Sequence, residues 1–121
     1  MERNWEEFGD GPKDSKNCLH VTLGRKGVLM IGAVAFRALR EPDAVVLLFD
    51  RETRVMGVRA AHIRAENAFP TKVKRRGSHR LVRAVRFCKH HGISVDRTAR
   101  FRNAVIENGV LVLDTKTMVN I

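Results

Sequence analysis

The side chains able to do chemistry in this chain are mostly cations, and they crowd into one stretch. Between Thr71 and Arg102 stand Lys72, Lys74, Arg75, Arg76, Arg80, Arg83, Arg86, Lys89, Arg97, Arg100 and Arg102, with Asp96 as the single acid. Eleven positive charges against one negative give that stretch +10, which is the formal net charge of the whole 121-residue chain. The rest carries twelve Lys/Arg and twelve Asp/Glu and sums to zero. Self-repulsion makes such a concentration costly until a polyanion neutralises it. Nucleic acid is the commonest such partner. A solvated basic face with no specific partner is the competing reading.

The other reactive residue types do not assemble into a site. No Gly-rich loop runs into a helix with Lys-Ser/Thr. Ser15, Ser78 and Ser94 have no elbow motif around them. Asp50, Glu52 and Glu66 fall in turns or connectors, without spacing that pairs two carboxylates. Cys18 and Cys88 have no CxxC spacing, and Cys88-x-His90 has no second ligand pair, so neither a disulfide, a metal nor another cofactor is expected. The expectation is a protein that is not an enzyme. Base-stacking platforms for single strands are also poor: there is no tyrosine, and the phenylalanines sit mostly at core-like positions. His79 and His90 add positive charge below neutral pH.

The elements that must hold these cations follow from composition and period. An apolar fraction of 44% supports a real core, and the length suits one compact domain. Arg or Asp interrupts every apolar run well short of a membrane span. Residues 1–17 read as a flexible acidic tail without a signal-peptide core, which implies a cytoplasmic protein. Within it, Trp5 and Phe8 have the spacing to dock a helical turn on the body.

From Cys18, Leu19, Val21 and Leu23 alternate with polar residues as a half-buried strand. Gly24-Arg25-Lys26-Gly27 breaks it, and Val28–Ile31 is a second extended piece. Gly32–Arg40 reads as a short helix, stopped by Glu41-Pro42. Ala44–Phe49 and Arg54–Arg59 form a hairpin around Asp50–Thr53. Residues 18–61 are thus one β-α-β-β unit, and 62–70 are a connector.

The same order recurs over 71–121, the second, basic unit. Thr71–Lys74 alternates like the first strand. Arg75-Arg76-Gly77 matches Arg25-Lys26-Gly27 at an offset of fifty, Leu81 matches Ile31, and Val85 and Phe87 match Val34 and Phe36 after one inserted residue. The spacing predicts a helix over Arg80–His91, ended by Gly92, with Arg83, Arg86, Lys89 and His90 on the side opposite Leu81, Ala84, Phe87, Cys88 and His91. Phe87 and Cys88 read as core, and His91 as a satisfied helix-end histidine. Ala99–Ile106 and Val110–Leu113 make a hairpin around Asn108-Gly109. Neither unit buries its strands alone, so the fold class expected is α+β: two tandem β-α-β-β units packed as an intrachain pseudo-dimer.

Gly27-Val28-Leu29-Met30-Ile31, a helix through Phe36, Asp43 before Val45-x-Leu47, and Val55-x-Gly57-Val58 resemble the AbrB/SpoVT/MraZ type of swapped-hairpin module. The second half is similar, from Gly77 to Val110–Leu113. The family's proline at the helix start is replaced, with Gly32 and Val82 near that point. The resemblance implies a small swapped-hairpin barrel. It also implies a DNA-binding transcription regulator or antitoxin, a dimer or a tandem repeat, whose DNA-facing residues here are Arg25, Lys26, Lys74, Arg75 and Arg76.

The sequence thus points to a nucleic-acid-binding protein with duplex DNA as its partner, either a monomer with pseudo-two-fold symmetry or a homodimer. The candidate contacts are Arg25, Lys26, Lys72, Lys74, Arg75, Arg76, Arg80, Arg83, Arg86 and Lys89. Two other readings stay open: a protein-interaction module docking an acidic partner, and an RNA-binding or ribosome-associated factor.

Overall fold

Alternating burial, more than helix propensity, decides most of this chain. The computed structural model describes residue 3 and residues 19–73 and 79–120. Expectations for the acidic tail, Trp5, Phe8 and Cys18, and for Lys74, Arg75, Arg76, Gly77 and Ser78, lie outside the described residues.

In chain order the elements are β1 (Val21–Leu23), β2 (Val28–Ile31), α1 (Ala33–Ala38), β3 (Ala44–Asp50), β4 (Val55–Ala61), β5 (Phe69–Pro70), β6 (Lys72–Val73), β7 (Arg80–Arg83), α2 (Val85–His91), β8 (Ala99–Phe101), β9 (Val105–Glu107), β10 (Val110–Asp114), a 3-10 turn (Thr115–Thr117) and β11 (Met118–Asn120). This is an α+β chain dominated by strands. They form two antiparallel sheets, one ordered β11-β8-β1-β2-β7-β6 and the other β5-β3-β4-β10-β9. Between the sheets lies a single core. Leu23, Leu29, Ile31, Val82 and Phe101 come from the first sheet, and Val45, Met56, Val58, Leu111 and Leu113 from the second. Phe36 and Leu39 of the α1 segment and Phe87 and Cys88 of α2 close its flanks. Each such side chain is worth about 1.5–3 kcal/mol on full burial. Among the described residues no helix is long and apolar enough to cross a membrane.

Three expectations are corrected. The sheets do not close into a barrel. The stretch read as one strand, Ala99–Ile106, parts at 102–104: β8 pairs with β1 and β11, whereas β9 pairs with β10. The chain also crosses from the edge of one sheet to the edge of the other between β5 and β6. Pro70 ends β5 there, and proline has no N–H to extend a ladder. Among the described residues, both sheets therefore keep free edges.

The third correction concerns Arg80–Arg83, which is strand β7 and not the first turn of the following helix. Val82 is fully buried opposite Leu29, while Arg83, opposite Val28, is exposed. Four ladder partners on β2 and a period of two outweigh the helical spacing of Arg80, Arg83 and Arg86. Helix α2 starts only at Val85.

Two turns fix the hairpins. Asn108 and Gly109 both take positive φ, as a two-residue hairpin loop requires. The Asp50 carboxylate accepts from the backbone N–H of Glu52 (3.0 Å) and Thr53 (3.3 Å), holding the β3–β4 turn. Hydrogen bonding from Thr53, and then from Glu52, keeps its pKa below the ordinary aspartate value.

Candidate nucleic-acid interface

The turn between β1 and β2 presents Arg25 and Lys26. Gly24 N–H donates to the Val28 carbonyl and Gly27 N–H to the Gly24 carbonyl, both at 2.9 Å, so the two cations stand at a tight, exposed tip. Gly27 has φ +78, and a Cβ there would lie 2.9 Å from the Val85 Cα. The Gly27 carbonyl accepts from Ala84 N–H at 2.8 Å. The basic turn is thus seated directly on the start of α2.

That seating builds a groove of about 440 Å³. Leu23, Val85, Cys88, Ile93 and Val95 give it an apolar floor, and Arg25, Lys26 and Lys89 are its cations. Among the described residues no carboxylate lines it. Burial raises the pKa of the Cys88 thiol, which stays protonated and a poor nucleophile. The loop after α2 reaches the groove because Gly92, at φ +65, ends the helix and Ile93 N–H returns to the Cys88 carbonyl at 2.8 Å.

The remaining candidates divide by face. Arg83 is exposed on the outer face of the first sheet, opposite Val28, the residue that follows Gly27. Lys72, opposite Leu81 on the edge strand β6, shares that face, as does Arg100 opposite Thr22. Arg86 is exposed on α2. Arg80 stands apart. Its guanidinium lies 4.8 Å from the centre of the Phe36 ring, half-buried, in a depression shared with Glu41, Asp43 and Thr71. It packs where a phosphate contact was expected. Lys74, Arg75 and Arg76 lie outside the described residues. Among the described residues, Arg25, Lys26, Arg83, Arg86 and Lys89 pair with no carboxylate.

His91 sits at the joint between α2 and the second sheet. Its ring is 4.3 Å from that of Phe49 and 4.7 Å from that of Phe87. Partial burial, then the nearby charges of His90, Arg51 and Arg54, lower its pKa. The Arg54 guanidinium donates to the His91 carbonyl at 2.9 Å and the Gly92 carbonyl at 3.4 Å, capping the helix end. Arg54 is thus a cation engaged in structure. Conversely, Leu23, Ile93 and Val95 gave no sign of lining a groove, because they arrive from separate elements and no period links them. Among the described residues, no group of three His, Cys, Asp or Glu is placed to hold a metal ion.

No family model, no curated protein and no solved structure matches this chain.

Proposed function

We propose that this protein binds duplex DNA as a regulator, gripping backbone phosphates with the Arg25–Lys26 turn and the exposed side of α2. One observation carries the reading: Arg25, Lys26 and Lys89 converge from two elements on one groove that, among the described residues, no carboxylate lines. Cations held near one another and left unneutralised favour a ligand that supplies closely spaced negative charge, which a phosphate backbone does. Arg83 and Arg86 extend the positive surface beside it.

The strand order supports a two-fold scaffold behind that surface. In the first sheet β1-β2 meets β7-β6 through the antiparallel pair β2·β7, and in the second β3-β4 meets β10-β9 through β4·β10. Both helices also end alike: Glu41 N–H returns to the Phe36 carbonyl as Ile93 N–H does to Cys88. We read these as two β-α-β-β units joined as a covalent pseudo-dimer of swapped-hairpin type. By the sequence offset of fifty the counterpart of Arg25–Lys26 is Arg75–Arg76, which lies outside the described residues.

The test is a salt titration of binding to duplex DNA. Replacing Arg25 and Lys26 together by Ala is expected to lower the log–log salt slope by roughly 0.9 for each phosphate left unneutralised. Both positions are exposed, so stability should change by no more than about 0.5 kcal/mol. Unchanged binding by folded protein would overturn the reading. Preference for structured RNA in competition, or for an acidic protein with a shallow salt slope, would replace DNA with one of the other partners.

A further inference from the structure

The second sheet has one face turned to the core and one turned away, yet both are apolar. Leu47, Val58, Leu111 and Ile106 form one cross-strand row on the core side. The next row, on the outer side, reads Leu48, Gly57, Val112 and Val105, and beyond it lies Val46, Arg59, Val110 and Glu107. An antiparallel sheet with one wet face normally alternates apolar with polar residues. Here β3 and β10 carry aliphatic side chains on both faces, as strands covered on both sides do. Val105 is 43% exposed, and Leu48, Val110 and Val112 are half-exposed around Gly57.

We propose that this outer face is a homodimer interface, its occupant a second copy of the same chain packed sheet on sheet. The charges on the face select that occupant. Arg59 and Glu107 share a row, one strand to either side of Val110, and both are exposed. Among the described residues neither has an ion-pair partner within the chain. A two-fold axis lying in the interface and parallel to β10 carries Arg59 of each copy onto Glu107 of the other, giving two symmetric ion pairs. The same rotation sets Val110 against Val110 and Val112 against Val112. In the next row it brings the exposed Val105 over Gly57, where the Val110 and Leu48 side chains already border the glycine and offer it an apolar surface. An isologous interface must be self-complementary in this way, and facing sheets pack within about 30° of aligned. The face lies away from the Arg25–Lys26 groove, and the inference does not depend on what that groove binds.

The experiment is sedimentation equilibrium on the full chain, with Arg59→Glu, Glu107→Arg and the double swap alongside. The wild type is expected to be dimeric at submillimolar concentration. Each single reversal is expected to raise the dimer dissociation constant about tenfold or more, and the double swap to restore it. The two reversals move the net charge in opposite directions, so general repulsion cannot produce weakening in both. A monomer at every concentration overturns the proposal. So does a dimer indifferent to both reversals, or one that the double swap fails to restore. Circular dichroism of each variant separates weakened association from misfolding.

Discussion

At the residue scale, Gly27 carries the most consequence for its size. Its positive φ suits glycine, and the space a Cβ would need is already filled by the Val85 backbone, which cannot step aside as a flexible side chain would. Gly27→Ala is therefore expected to destabilise the fold by about 1–3 kcal/mol in urea unfolding. Because the Gly27 carbonyl also holds Ala84 N–H, the same change should disturb the Arg25–Lys26 tip and weaken polyanion binding. Gly24 is the control. A Cβ there meets only the Val28 carbonyl oxygen at 3.6 Å, an ordinary contact, and Gly24→Ala should stay within about 0.5 kcal/mol. Equal effects at the two glycines would show that the turn is not seated on α2. That a turn occurs here was readable from Gly-Arg-Lys-Gly. Which glycine is indispensable was not, since the reason is Val85, far away in sequence.

At the scale of elements, the two helices offer a matched pair. Each ends with a left-handed residue and a return hydrogen bond to the carbonyl five residues back from its donor. In α2 the left-handed residue is Gly92, but after α1 there are two, Arg40 at φ 67 and Glu41 at φ 50. A side chain in that conformation costs about 1–2 kcal/mol. Arg40→Gly is expected to raise stability by up to about 1 kcal/mol, and Gly92→Ala, whose Cβ would meet nothing within 4 Å, to lower it by a similar amount through backbone strain alone. Thermal unfolding of both variants checks this; a destabilised Arg40→Gly would contradict it. The same elements show where the sequence was legible. Asn108-Gly109 between extended runs located the β9–β10 hairpin because the turn type demands those residues. Gly92 located the end of α2 for the same kind of reason. The beginning of that helix was misplaced, since Arg80, Arg83 and Arg86 fall at helical intervals while Val82 answers to Leu29 on β2. Local charge spacing pointed one way and a long-range ladder the other, and the ladder prevailed. The division of β8 from β9 was hidden likewise: only partners distant in the chain, β1 and β10, pull them into different sheets.

At the scale of the whole molecule, α2 meets the second sheet at His91, and a pH dependence of stability is expected from that joint. The imidazole packs between Phe49 of β3 and Phe87 of α2, and its pKa lies below the ordinary 6.5 because the folded surroundings disfavour its charged form. The unfolded chain takes up this proton near the ordinary value, while the folded chain resists until the pH is lower. Folding is then opposed by protonation. The contribution of His91 is complete above pH 6.5 and is lost progressively as the pH falls below it towards the folded-state value. The melting temperature is expected to drop as the pH falls below the ordinary histidine value, and His91→Phe, which keeps the ring packing and removes the titration, should flatten that drop. A high net positive charge predicts an acid-side decline of its own, through added repulsion, but added salt screens that part. Contacts of the His91 ring with Phe49 and Phe87 are not screened in the same way. Measured at high salt, wild type and His91→Phe should still diverge as the pH falls. If their profiles run parallel, the joint does not sense protons, and the pH response belongs to the basic surface as a whole.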